Sequence, residues 1–131
     1  MADRKRKKLL VVDDEEDLLF MVSLAAEATG RFVVETARDG EEGLAKARAF
    51  LPDAVVLDGI MPKMDGFEVC RRLRADPATS AIGVVILSAG DPGRAEAAAR
   101  EVGADRFVRK PYEQAALMKT VLAVCASRRS A

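Results

Sequence analysis

The sequence predicts an α/β protein built on a parallel sheet with helices on both faces. Three observations carry that expectation. Short apolar, β-branched runs alternate with helical patterns five times along the chain. The best of those runs, Leu9–Val12, Ala54–Leu57 and Ile82–Leu87, are continuously apolar rather than alternating, as strands buried on both faces require. Each strand is followed by a helix-length segment, which leaves room for a crossover and not for a tight hairpin. Right-handed connections are the expected hand.

The elements follow in order. Leu9–Val12 is the first strand, and it runs straight into Asp13-Asp-Glu-Glu-Asp17. Glu15, Glu16 and Asp17 open the first helix, where negative charge meets the positive end of the helix dipole. Leu18, Val22, Ala25, Ala26 and Thr29 share one side of it, and Gly30 stops it. Phe32–Thr36 is a shorter second strand. Asp39-Gly-Glu-Glu42 opens a helix to about Phe50, and Leu51-Pro-Asp53 breaks it. Ala54–Leu57 is the third strand and ends at Asp58. A loop from Gly59 to Gly66 leads into a helix from about Phe67 to Arg74, which Asp76-Pro77 closes. In that loop Met61, Met64 and Phe67 read as packing residues. Ile82–Leu87 is the fourth strand, weakened at Gly83 and ending at Ser88. Asp91-Pro92 is an N-cap followed by a first-turn proline, and the helix behind it closes at Gly103. Asp105–Val108 is the fifth strand. Arg109-Lys-Pro111 follows, and Glu113 to about Cys125 is the last helix. The 131 residues suit one domain with its core over about 7–126, a basic lead-in at 1–6 and a tail at 127–131.

Composition excludes several functions. Lys+Arg and Asp+Glu balance at 21 each, so net charge gives no argument for nucleic acid or membrane as a partner. The run Arg4-Lys-Arg-Lys-Lys8 reads as a solvated approach to the first strand. No apolar stretch approaches the length of a membrane span or a signal-peptide core, and a cytoplasmic protein is expected. Cys70 and Cys125 sit among apolar neighbours and read as buried thiols. The chain has no histidine, which removes Ser-His-Asp catalysis, Cys-His catalysis and histidine-ligated zinc.

In an open α/β sheet, ligands sit outside the carboxyl ends of the strands. Here those ends carry Asp13 and Asp14, then Asp58, then Ser88, then Arg109 and Lys110. Three carboxylates at one rim cannot all stay ionised unaided. A hard divalent cation removes the conflict, and Mg²⁺ takes oxygen ligands and commonly shares its site with phosphate. Lys110 offers a point charge for a phosphoryl group and Ser88 a donor hydroxyl. Carboxylate also serves as a nucleophile that forms an aspartyl-phosphate. The parts fit phosphoryl transfer onto Asp58. Taken one at a time, Asp13-Asp14 fits a helix cap, Asp58-Gly59 a turn, Ser88 a loop hydroxyl and Lys110 a surface cation. Their common position at strand ends sets the joint reading above the separate ones.

Four blocks, VVDDEED, VVLDGIMPKMDGFEV, VVILSAG and RFVRKPY, taken in that order, resemble the receiver domain of two-component response regulators. In size the chain resembles the single-domain chemotaxis-type regulators, and the resemblance runs from about Lys7 to Cys125. It implies a flavodoxin-like (βα)5 three-layer sandwich with strand order 2-1-3-4-5. It implies Asp58 as phosphoacceptor, with Mg²⁺ held by Asp13, Asp14, Asp58 and the main-chain carbonyl of Ile60. It implies that Lys110 pairs with Asp58, that Ser88 is the switch hydroxyl, that Phe107 is the switch aromatic, and that Lys110-Pro111 is cis. Ser at 88, Phe at 107, Ile at 60 and Gly at 90 are this chain's own choices at positions the family varies.

The resemblance makes the chain a phosphorylation-activated signalling switch, and not an enzyme beyond its own phosphorylation and dephosphorylation. A sensor histidine kinase or histidine phosphotransfer protein supplies the phosphoryl group in trans. An unknown downstream target reads the face of the fourth helix, fifth strand and fifth helix. That face also allows a weak dimer in place of a monomer. Neither nucleic acid nor membrane is an expected direct partner. Two other functions compete. A haloacid-dehalogenase-type phosphatase carries a second Asp two residues after its nucleophile, and Ile60 stands there instead. A phosphorylation-independent interaction or dimerisation module keeps the fold without the switch, and the set Asp58, Ser88 and Lys110 speaks against it.

Overall fold

The computed structural model describes residues 6–128. The start of the basic lead-in and the last three residues of the tail lie outside the described residues. Five strands, β1 (Lys7–Val12), β2 (Phe32–Ala37), β3 (Ala54–Asp58), β4 (Gly83–Ser88) and β5 (Arg106–Arg109), alternate with five helices. The helices are α1 (Glu16–Ala28), α2 (Gly40–Phe50), α3 (Gly66–Ala75), α4 (Pro92–Glu101) and α5 (Gln114–Arg128). The strands form one sheet in the order β2-β1-β3-β4-β5, with every pair parallel. The expected architecture is present. No described helix is long and apolar enough to cross a membrane.

The central strands are buried on both faces, which is why their sequences do not alternate. Leu9 and Val11 of β1, Val56 of β3, and Val85 and Leu87 of β4 pack under α1 and α5. Leu10 and Val12, Val55 and Leu57, and Val84 and Ile86 pack on the other face, with residues of α2, α3 and α4. Each buried valine or leucine removes apolar surface from water, worth about 1.5–3 kcal/mol. The strand register sets Leu57 beside Ile86 and Asp58 beside Leu87, so β1, β3 and β4 end at one rim.

Local chemistry starts and stops the helices. Asp39 caps α2 by accepting the Glu42 N–H at 2.8 Å, and Glu42 Oε1 accepts from the Arg38 N–H. Asp65 and Asp91 cap α3 and α4 in the same way. Gly30 and Gly103 supply left-handed backbone after α1 and α4. Three expectations shift. The core side of α1 is centred on Leu19, Val22 and Ala26, with Leu18 only half-buried. Gly83 opens β4 and does not interrupt it. Ser127 and Arg128 belong to α5 and not to a tail. Cys70 and Cys125 are both buried and unbridged.

Candidate functional site: an acidic rim with one lysine

β1 ends at Val12, and the next residue turns inward at the rim. Asp13 is buried, and its Oδ1 accepts the Glu15 N–H at 2.9 Å, which tightens the turn into α1. Glu15 is the N-cap of α1 but makes no side-chain cap bond. Asp14 is exposed beside it. Asp58, the last residue of β3, is buried too. Carboxylate oxygens of Asp13, Asp14 and Asp58 lie within 4.8 Å of one another.

Lys110 reaches this cluster from the end of β5, and its Nζ is 3.1 Å from Asp58 Oδ1. The Ile60 N–H donates to the same oxygen at a longer 3.4 Å, and the Ile60 side chain is 66% exposed beside it. Ser88 is buried at the end of β4, where its Oγ accepts the Gly90 N–H at 3.2 Å. Phe107 of β5 is half-buried against the core under α4. Lys110-Pro111 is cis, as the resemblance implies. Arg109 is exposed at the outer strand end. The rim therefore gathers every sequence-predicted site residue except Phe107, which packs on the face beside it.

The electrostatics follow from this crowding. Burial pushes the Asp13 carboxyl up to about 6; the Glu15 N–H pulls it down, and the charges of Asp58 and Asp14 raise it further. Burial works against the Lys110 ammonium, yet its hydrogen bond to Asp58 and the charges of Asp58 and Asp13 hold its pKa above the ordinary value. Three carboxylates thus face one ammonium. That donor set, all oxygen and in surplus negative charge, fits a hard divalent cation such as Mg²⁺.

Two contributors were not named from sequence. Gly66 starts α3 under the site, and a Cβ there would collide with the Asp58 carbonyl oxygen. The Asp-Gly pair at 65–66 is the available signal, since Asp65 caps the helix and Gly66 allows the approach. Tyr112 is the second: burial raises its pKa, with Lys110, Asp13 and Asp58 all acting on it. Lys110, Pro111, Tyr112 and Gln114 form one wall of a depression of about 400 Å³, and Leu18 and Met21 of α1 form the other.

Residues 9–122 match the response regulator receiver domain. The chain is 42% identical over 106 residues to the alkaline phosphatase synthesis transcriptional regulatory protein PhoP of Bacillus subtilis, covering 81% of this chain and 43% of that protein. It thus spans less than half of that longer relative. It is 34% identical to protein PilH of Pseudomonas aeruginosa over 91% of this chain and 98% of PilH. Among solved structures, the chemotaxis protein CheY4 of Vibrio cholerae superposes with a TM-score of 0.85 at 32% identity, covering 92% of this chain and 99% of that one. Fold, acidic rim and these likenesses agree, and the chain belongs to the response regulator receiver domains of two-component signalling.

Proposed function

We propose that the chain folds as one receiver domain and is a phosphorylation-controlled switch that takes a phosphoryl group on Asp58. Receiver domains are signalling switches that generally bind Mg²⁺ and interact with histidine kinases or phosphotransfer proteins and with downstream targets. The observation that carries the reading is the Lys110 ammonium 3.1 Å from Asp58 Oδ1, inside a cluster with too many carboxylates. Asp13, Asp14, Asp58 and the Ile60 carbonyl would hold the ion. When bound, it neutralises their charge and that of the phosphoryl oxygens.

Asp58 supplies the nucleophilic oxygen. The new bond is O–P, the bond broken is P–N of a phosphohistidine, and the electron pair leaves with the imidazole nitrogen. Lys110 is already oriented at this oxygen and follows the charge onto the phosphoryl group. Ser88 exchanges its Gly90 contact for a phosphoryl oxygen, and Phe107 occupies the space vacated. The change is then read on α4, β5 and α5 as a local charge and packing event with a distant readout. The donor docks on α1, whose outer face exposes Phe20, Met21 and Leu24 beside the rim.

The test is intact mass after incubation with acetyl phosphate and Mg²⁺. One added phosphoryl group is expected, absent in Asp58→Asn and in metal-free samples. No adduct, together with no binding of a fluoroberyllate mimic, would leave the interaction-module reading in its place.

A further inference from the structure

The loop between β3 and α3, residues 59–65, is held more tightly than its exposure requires. Its two ends meet, since the Gly66 N–H donates to the Gly59 carbonyl at 3.2 Å. Within it the Met64 N–H donates to the Pro62 carbonyl at 2.8 Å, and Lys63 between those two residues has φ 69. That bond around that backbone is a γ-turn of the strained kind. Pro62 and Lys63 are both exposed, so neither side chain offsets the strain through burial. Strain of this sort persists only where the surrounding structure over-determines it.

Here the surroundings are two methionines, one on each side of the turn. Met61 is buried in the core that lies on the α2, α3 and α4 side of the sheet, and Met64 packs half-buried against the same core. Met64 sits against the first residue of α2. A Cβ at Gly40 would stand 3.0 Å from both the Cβ and the Sδ of Met64, and 2.9 Å from Val69 Cγ2. Only a glycine leaves α2, α3 and the loop room to close together there. Asp39 fixes that glycine in turn, because it caps α2 through the Glu42 N–H. The phosphoryl chemistry uses neither methionine. What lies between Asp58 and the two anchors is Ile60, whose exposed side chain does not fix its own backbone.

We propose that Met64, seated on Gly40, is a positioning residue for the cation: with Met61 it clamps the strained loop and so holds the Ile60 main-chain carbonyl for the ion. The inference rests on the reading of the rim as a Mg²⁺ site. Met64 supplies no ligand and acts through the backbone. Mg²⁺ demands near-ideal octahedral geometry, whereas Ca²⁺ accepts flexible and irregular coordination. A carbonyl on a loosened loop therefore costs Mg²⁺ more than Ca²⁺. Groups that orient metal ligands from outside typically matter about 10–100-fold in metal affinity.

The test is calorimetric titration of the full chain with Mg²⁺ and, separately, with Ca²⁺. Met64→Ala is expected to weaken Mg²⁺ binding about tenfold and Ca²⁺ binding much less, so the preference for Mg²⁺ falls. Gly40→Ala displaces the methionine instead of shortening it and should act in the same direction. Met64→Leu refills the space and should keep most of the parent's affinity. Lys63→Gly leaves both anchors in place and should bind as the parent does. Carbonyl NMR gives a second reading: the Ile60 carbonyl shift on Mg²⁺ addition should shrink in Met64→Ala at equal saturation. A methionine with only a structural role would lower the melting temperature without moving the ratio of the two affinities, and that result would overturn the proposal. So would an equal loss for both ions, or a loss in Lys63→Gly as large as that in Met64→Ala. A parent that binds no Mg²⁺ would overturn the cation reading of the rim, and this inference with it. A parent that binds, beside Met64→Ala and Gly40→Ala variants that bind equally well, would overturn this inference alone.

Discussion

Two acid–base pairs with the same 3.1 Å separation sit at opposite ends of the sheet and do different work: Lys110 with Asp58 at the rim, and Arg74 with Asp105 at the base. Arg74 also donates to the carbonyls of Gly103, Ser80 and Ile82, and Asp105 Oδ2 also accepts the Val84 N–H. That pair ties α3 to the starts of β4 and β5, and its hydrogen bonds are met within the fold. The rim is left in deficit, with Asp13, Asp14 and Asp58 facing one ammonium. Folding completes the lower pair. The upper cluster keeps three carboxylates against one ammonium after folding. A part-buried pair whose bonds are met within the fold reports on stability, and a cluster with surplus like charge reports on function.

The largest effect tests the lower pair. Arg74→Met takes the cation from Asp105, which keeps only neutral donors such as the Val84 N–H, and the donor from three carbonyls, and is expected to cost about 3 kcal/mol in urea unfolding. A loss under about 1 kcal/mol would reduce the pair to an ordinary surface bridge and break the comparison.

The rim should respond with the opposite sign. The Asp13 carboxyl titrates near 6 in the folded chain against an ordinary 3.8. Between those values the native state holds more protons than the unfolded state. Its contribution to stability therefore falls as pH rises from about 4 to about 6, by up to about 3 kcal/mol. In metal-free buffer Asp13→Asn should be about 2 kcal/mol more stable than the parent near neutral pH, with the two curves converging in acid. Curves that stay parallel would mean Asp13 carries no surplus charge.

Millimolar Mg²⁺ should add about 1–2 kcal/mol to the parent by binding linkage. The Arg74→Met variant should keep that gain and Asp13→Asn should lose most of it. An equal response in all three would locate the ion away from the rim. The smallest effect is in the loop between β3 and α3, where exposed Lys63 has φ 69. Lys63→Gly relieves that strain but frees the unfolded chain, for a net gain of about 0.5 kcal/mol and no change in the Mg²⁺ response.

Legibility in the sequence followed burial. β1, β3 and β4 were readable because strands covered on both faces must be apolar throughout. Asp39 and Asp91 were readable as caps because a short acceptor before a helix has one obvious use. On α1, Val22 and Ala26 are buried as expected, but Leu19 is buried in place of Leu18, because Leu18 to Val22 are all apolar and periodicity cannot choose among them. β5 runs one residue later than expected, and as a short, half-exposed edge strand it has the weakest pattern. The Arg74–Asp105 pair was invisible, since its members stand 31 residues apart and neither has a local signal.

The sequence by itself determined which residues end the strands, because a carboxylate, hydroxyl or ammonium cannot continue a buried apolar run. It thereby named the chemistry of one rim. Tertiary structure alone decided that Asp13 is buried while Asp14 is exposed, and that Arg74 of α3 meets Asp105 at the base of the sheet. Those facts depend on strand order, register and packing between distant segments, and local propensity carries no information about distance across a fold.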